Sequence, residues 1–315
     1  MTRPENPLIS IVVPVLDEEG CIDELVQRIG EALSGLAVRH EIVFVDDGSR
    51  DRTPERIAAQ HRANSTVKSI RFTRSFGHQA ALIAGLHHAK GDAVVTMDGD
   101  LQHPPEFLPK LIEAWREGTD VVSTVRHQTE AEPGGLKGSV SKLFYRLMSS
   151  LTSVRVRPAA ADFRLLDRRA VDAFNSLEEH FVFMRGLVPW LGFSEVHFDY
   201  EVGKRFAGES KYRLWRMFRL ALDGIFSFSV VPLRVISILG LFTTAFGIVF
   251  GIFALISFAT GRVDGAGWTS VVVLILIFGG VQLLSLGIVS EYVGRTYEEV
   301  KRRPRYVIES LSGID

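Results

Sequence analysis

Between Thr96 and Glu106 the chain reads TMDGDLQHPPE, with two aspartates one residue apart directly after the apolar run AVVT. Asp and Gly at the end of a strand also serve as turn residues, because their side chains satisfy local backbone groups. In an extended backbone, however, residues i, i+2 and i+4 point to one side, so Asp98, Asp100 and Gln102 would present three oxygen-bearing side chains together. Such a set suits a hard cation, Mg²⁺ or Mn²⁺, which takes oxygen ligands and completes its shell with water and phosphate. The chemistry implied is stabilisation of a diphosphate leaving group. A crowd of carboxylates is unfavourable unless a cation or hydrogen-bond donors neutralise it, since like charges raise each other's pKa.

The elements that must position these residues alternate. Short β-branched runs at Ile9–Val15, Glu41–Asp46, Val67–Phe72, Ala93–Met97 and Asp120–Thr124 read as strands. The spacing predicts helices over Ile22–Leu33, Pro54–His61, Gln79–Ala89 and Glu106–Glu117. Alternation of this kind predicts an α/β domain with a mostly parallel sheet covered by helices on both faces. Ligands of open sheets sit beyond the carboxyl ends of the strands. VVPVLDEE closes the first strand, VFVDDGS the second and VVTMDGD the fourth, which gathers Glu18, Asp46, Asp47, Asp98 and Asp100 at one edge. No glycine-rich dinucleotide fingerprint or P-loop accompanies them.

Lys plus Arg (36) nearly balances Asp plus Glu (37), so the global charge points to no nucleic-acid partner. Cys21 is the only cysteine, which excludes an intramolecular disulfide and fits a reducing compartment. It reads as a small filler near a helix start rather than a nucleophile. His78, His87, His88 and His103 show no His-x-x-x-His spacing and no cysteine partner, so a zinc site is not expected. In RSFGHQAALIAGL, which contains His78, the basic and aromatic residues are placed to touch a nucleotide, but a loop leading into a core helix from Gln79 to Ala89 explains most of the pattern. The N-terminal apolar stretch is short and runs into Asp17, Glu18 and Glu19, the pattern of a first strand and not of a signal peptide.

The last third changes character. Val235–Gly261 and Gly265–Ser290 contain no charged residue, and each exceeds the roughly 20 apolar residues that cross a bilayer. Two transmembrane helices, at about residues 235–260 and 266–290, are expected, joined tightly through Arg262, Val263 and Asp264. Arg213, Arg216, Arg219 and Arg234 precede this hairpin, and Arg295, Lys301, Arg302, Arg303 and Arg305 follow it. By the positive-inside rule the N-terminal domain lies in the cytosol. The expected division is a cytosolic catalytic domain over residues 1–208, an interfacial amphipathic segment over 209–232, the hairpin over 233–293, and a basic tail over 294–315 that packs back on the catalytic domain.

VVPVLDEEG, VDDGSRDRT, RSFGHQAALIAGL, MDGDLQHPPE, ADFRLLDRRAV, RFAGESKY and EYVGRTYEEVKRRPRYVI together resemble, in order and along nearly the whole chain, the family-2 polyprenyl-phosphate glycosyltransferases. The likeness is greatest to bacterial bactoprenol glucosyltransferases, with dolichol-phosphate mannose synthase as a relative. The resemblance implies a GT-A fold, a nucleotide-sugar donor (UDP-glucose as first choice), Mg²⁺ or Mn²⁺, an undecaprenyl or other polyprenyl phosphate acceptor, and a homo-oligomer. It implies that Pro14, Leu16, Glu18, Val45, Asp46 and Asp47 line the nucleoside pocket. It assigns Asp98, Asp100 and Gln102 to metal and diphosphate, Asp162 to the role of base, and Arg205, Ser210 and Lys211 to phosphate groups, while Arg126, by its place after the fifth strand, is a further candidate for the donor diphosphate. Three departures stand out: Leu16 and Asp17 where relatives carry an aromatic residue and Asn, Gly99 between the aspartates in place of Ala or Val, and AAA before Asp162.

A lipid monophosphate already carries negative charge near neutral pH, so its oxygen can attack a sugar without prior deprotonation. Asp162 is then free to orient the acceptor or to pair with Arg164. The segment RFAGESKYRLWRMFRLALDGIF places cations beside apolar residues at helical spacing ahead of the first span, the pattern of a helix lying at the membrane surface. A processive polysaccharide synthase would need a translocation channel and a Gln-x-x-Arg-Trp motif, both missing from this sequence. A noncatalytic scaffold would leave the Asp98, Asp100 and Gln102 array without purpose.

Overall fold

The computed structural model describes residues 3–127, 160–177, 179, 184–201, 229–260 and 267–314. Those of 3–201 and 303–314 form one compact unit, and residues 229–302 form a second.

The first unit is built on strands β1 (Leu8–Val15), β2 (Arg39–Asp46), β3 (Val67–Phe72), β4 (Ala93–Thr96), β5 (Val121–His127), β6 (Ala160–Asp167), β7 (Glu195–Glu201) and β8 (Ile308–Ser312). Its helices are α1 (Ile22–Leu33), α2 (Thr53–Ala63), α3 (His78–His88), α4 (Leu108–Arg116), α5 (Arg168–Asn175) and α6 (Met184–Trp190). All strands join one sheet in the order β7-β5-β6-β4-β1-β2-β3-β8. The four central strands β4, β1, β2 and β3 run parallel, as the alternation predicts. β6 lies antiparallel to both β4 and β5, while β5 and β7 pair in parallel. β8 is antiparallel to β3.

The two faces of β1 show why its sequence is apolar throughout. Ile9, Ile11, Val13 and Val15 join Ile22, Leu25 and Ile29 of α1 and Leu108, Leu111 and Trp115 of α4 in one core. Val12 points the other way, against α3, where Gly85 lies so close that an added Cβ would collide with the valine methyl. A strand enclosed on both faces needs no polar alternation, which is the signature of a parallel sheet between helix layers. The helix-bearing loops leave the carboxyl ends of β1, β2 and β4 at a common edge, since these strands are parallel and in register.

The second unit consists of α7 (Val231–Ala259) and α8 (Trp268–Val300). Segments Val231–Ala254 and Val273–Val300 are each long and apolar enough to cross a membrane. Leu241, Phe242, Val249 and Phe253 on α7 and Leu283 on α8 are each more than 60 % exposed. The Tyr292 hydroxyl donates to the Ser229 carbonyl at 2.6 Å. α8 continues ten residues past the expected end of the apolar span at Ser290, so the expected tail begins as helix and only its last part, β8, is sheet.

Candidate functional site

The loop after β1 is fixed to the loop after β2 by backbone donors. The Asp17 N–H donates to Ser49 Oγ (3.0 Å) and the Glu18 N–H to Thr53 Oγ1 (2.9 Å). The Arg50 N–H donates to Asp17 Oδ1 (2.8 Å) and the Arg52 N–H to Glu19 Oε2 (2.9 Å). Asp17 holds φ at 57°, a left-handed conformation that Asp tolerates and that turns the loop back here. Leu16 stands 46 % exposed at the mouth of this loop. The Glu18 side chain lies against Cys21, with Asp100 also near. The Cys21 thiol is pushed up to about 11, first by burial, then by the charge and hydrogen bond of Glu18 and by Asp100. It therefore stays protonated, as a filler would, and it marks the point where an acid from β1 and one from β4 converge.

The two aspartates closing β2 are engaged inside the protein. Asp46, 2 % exposed, accepts the Ser49 N–H (2.8 Å) and lies 3.5 Å from Arg71 Nε. Asp47 accepts from Ser75 Oγ (2.7 Å), from the Phe76 N–H (2.7 Å) and from the Gly77 N–H (3.0 Å). It thereby sets the entry to α3. Val45 is fully enclosed in the sheet, paired with the buried Pro14. These four residues were expected to line a nucleoside pocket; all four are buried, Pro14 and Val45 as partners within the sheet and Asp46 and Asp47 as acceptors for the loops that follow β2 and β3.

After β4 the backbone does not stay extended. Leu101 turns left-handed at φ 61°, and Asp100 Oδ1 accepts the Gln102 N–H at 3.1 Å. The side-chain alternation nevertheless survives: Gly99, Leu101 and His103 are buried, whereas Asp98, Asp100 and Gln102 are half-exposed. His103 is the reason the turn holds. Its ring stacks on Phe163 at 5.1 Å and its Nδ1 accepts the Asp98 N–H at 2.8 Å. That bond leaves the ring proton on Nε2, 3.5 Å from Asp98 Oδ2. Two carboxylates and an amide on one face match the oxygen set of Mg²⁺ or Mn²⁺. Among the described residues no group of three or more His, Cys, Asp or Glu is placed to hold a metal ion. A site made of Asp98, Asp100 and Gln102 would leave water and phosphate to complete the shell of the ion.

Asp162, on β6 beside β4, lies 4 % exposed. Arg185 of α6 grips it with Nε at 3.1 Å and Nη2 at 2.9 Å, and Arg164 Nη2 stands 3.5 Å away. His78, first residue of α3, places Nε2 3.7 Å from Asp162 and 3.5 Å from Asp98. These separations exceed a normal hydrogen bond, so the attraction of His78 to both acids is chiefly electrostatic. Burial disfavours the Asp162 carboxylate, but His78, Arg185 and Arg164 outweigh it and hold the carboxyl well below the usual range. Burial likewise opposes a charge on His78, and the two acids overcome it and raise its pKa. The expected pairing of Asp162 with Arg164 is present, and Arg185 is added to it.

His78 and Arg185 are the residues sequence reading passed over. His78 sat in a segment read chiefly as a loop before a core helix; Arg185, in FVFMRGL, carried no spacing signal. Arg126 lies on β5 opposite Tyr200, with its side chain outside the described residues. Arg205, Ser210 and Lys211, the interfacial segment as far as residue 228 and the link between the two apolar helices also lie outside them.

The sequence pattern of glycosyl transferase family 2 matches residues 10–174, a stretch that takes in β1 to β4, Asp98, Asp100 and Asp162. An uncharacterized glycosyltransferase of Synechocystis sp. is 39% identical over 307 residues, covering 98% of this chain and 96% of its own. The bactoprenol glucosyl transferase of Shigella phage SfII is 40% identical over 301 residues, covering 96% of this chain and 97% of its own. Among solved structures, glucosyl-3-phosphoglycerate synthase from Mycobacterium tuberculosis is similar over 70% of this chain and 79% of its own, with 21% identity and a TM-score of 0.48. The family pattern and the two relatives of 39% and 40% identity, taken with the parallel sheet, place the chain in glycosyl transferase family 2, as a glycosyltransferase of GT-A fold.

Proposed function

We propose that the enzyme transfers a single sugar, glucose as first choice, from a nucleotide-diphosphate sugar to undecaprenyl or another polyprenyl phosphate. Transfer takes place at the cytosolic face of a bacterial inner membrane. The observation that carries this reading is the union, in one chain, of an acid-lined strand edge with two helices apolar enough to cross a bilayer. Relatives similar over nearly their whole length bear the name bactoprenol glucosyl transferase, which agrees with it.

The nucleoside enters against Leu16 and Glu18, over the floor that Pro14 and Val45 support and between the loops that Asp46 and Asp47 shape. The diphosphate faces Asp98, Asp100 and Gln102, which would hold the Mg²⁺ or Mn²⁺. When bound, that ion supplies charge stabilisation for the departing diphosphate. A phosphate oxygen of the acceptor attacks the anomeric carbon from the side opposite the diphosphate. The new C–O bond forms as the sugar–diphosphate bond breaks, and the nucleoside diphosphate leaves with the electron pair. One such displacement inverts the anomeric centre. No proton has to be removed from an ionised phosphate, so Asp162 need not act as a base; its low pKa and its grip on Arg185 suit an anchor. Arg126, Arg205, Ser210 and Lys211 remain assigned to the phosphate groups.

The test is purified full-length protein in vesicles containing undecaprenyl phosphate, given a panel of labelled nucleotide sugars with Mg²⁺ or Mn²⁺. Formation of one glycolipid of one sugar unit, abolished by EDTA, is expected. Asp100→Ala should lose turnover and still insert into membranes; full activity in that variant removes the metal assignment. Mannose, galactose or an amino sugar as the accepted donor would keep the reaction class and change the pocket specificity. Longer glycan products would point to a processive synthase instead.

A further inference from the structure

Arg185 of α6 is gripped by the buried Asp162 while its own side chain stays 38% exposed. Asp98, His78, Asp162 and Arg185 follow one another across the site at 3.5, 3.7 and 2.9 Å. The series begins at the carboxylate assigned to the donor diphosphate and ends at a guanidinium on α6. In-line attack requires the nucleophile on the far side of the sugar from that diphosphate, and Arg185 is displaced from Asp98 by two intervening groups. An arginine fork matches the oxygens of a phosphate in geometry as well as in charge. Its chain is already ordered by two bonds to Asp162, so little further entropy is lost when an anion arrives. The opposite side of the group is well supported: Asp162 is 4% exposed and also faces Arg164, itself compensated by Glu195.

Resting on the lipid-phosphate reading above, we propose that Arg185, positioned by Asp162, binds the phosphate of the acceptor. Asp162 is then a positioning residue, and the pair defines an acceptor subsite separate from the donor carboxylates.

The experiment is equilibrium binding of farnesyl phosphate to the full chain in detergent micelles by titration calorimetry, with farnesol, inorganic phosphate and UDP as separate titrants. Arg185→Gln should weaken farnesyl phosphate binding by about tenfold or more, the loss expected for a hydrogen bond to a charged group. Arg185→Lys, which keeps the charge and loses the fork, should fall between. Farnesol binding should not change, and UDP affinity should stay within about twofold, which shows that the variants are folded with the donor side intact. Inorganic phosphate that displaces farnesyl phosphate from the wild type and not from Arg185→Gln would place the contact on the phosphate and not on the lipid. Unchanged farnesyl phosphate affinity in Arg185→Gln overturns the proposal, as does an equal loss of UDP affinity, which marks a purely structural pair. Wild-type protein that binds farnesyl phosphate no better than farnesol overturns it too. None of these readouts needs sugar transfer, so a chain that makes no glycolipid sinks the functional reading separately.

Discussion

A carboxylate in this site is defined by what it accepts. Asp47 engages both oxygens with Ser75, Phe76 and Gly77, and so it shapes the approach to His78. The loop it holds packs against Gly48, whose φ is +79°, and a Cβ there would stand 2.7 Å from the Arg74 carbonyl carbon. Gly48→Ala therefore suffers left-handed strain and a clash with backbone that has nowhere to go. A loss of about 2 kcal/mol or more is expected, read as a lower thermal midpoint together with weaker UDP binding. His103→Phe makes the complementary point. It keeps the stack on Phe163 and removes the acceptor for the Asp98 N–H. An unpaired buried amide costs about 1–3 kcal/mol; the expected outcome is a weakened dependence of turnover on added Mn²⁺, seen as a higher metal concentration for half-maximal rate.

The elements that hold this edge are secured by distant pieces of chain. β8 covers the outer edge of β3, where Tyr306 stacks on Phe72 at 5.0 Å and Glu309 meets Arg71 at 3.0 Å. An uncovered strand edge invites pairing with other chains. Tyr306→Ala should cost about 2 kcal/mol by lost stacking and area, and a chain ending at Arg302 should aggregate on heating well below the wild-type midpoint; both are measured by thermal unfolding with light scattering. The base of β2 is tied by Glu41, which is 3% exposed, pairs with Lys68 Nζ at 2.6 Å and accepts the Lys90 N–H at 2.9 Å. Burial alone would raise its pKa, but Lys68, Ser10 and the Lys90 N–H outweigh it and lower it. The folded form thus holds its proton less tightly than the unfolded chain. Its stabilisation is present above the ordinary value of 4.5 and is lost as the pH falls below it. Glu41→Gln should lower stability at pH 7 and flatten the acid limb of the unfolding midpoint against pH.

At the scale of the whole molecule, α7 and α8 carry a large apolar surface, with Phe242 69 % and Leu283 71 % exposed, and patches of this kind mark membrane or protein interaction sites. Phe242 lies near the middle of Val231–Ala254, a segment apolar enough to cross a membrane, so Phe242→Lys puts a charge at its centre. The cost is about 2.5–3.5 kcal/mol, expected as increased extraction of the protein from membranes by alkaline carbonate, with nucleotide binding by the folded first unit retained.

What the sequence determined by itself was everything set by local period and composition. β1 to β4 and helices α1 to α4 fall within a few residues of the spans read from apolar alternation, and the two apolar helices follow from length and absence of charge. The alternation that leaves Asp98, Asp100 and Gln102 half-exposed was legible in their spacing, whereas the left-handed turn at Leu101 was not. Tertiary structure decided what depends on pairing between distant segments. β6, β7 and β8 join the sheet through partners far away in the chain, and no local period announces which strand will lie antiparallel to β4 or β3. The hydrogen-bond partners of Asp46, Asp47 and Asp162 were likewise open until folding supplied their donors, since a carboxylate written in a sequence can face solvent, a loop or a cation. Asp162 meets His78 and Arg185 only because α3 and α6 converge on one edge of the sheet. That convergence comes from long-range packing, which composition and spacing do not encode.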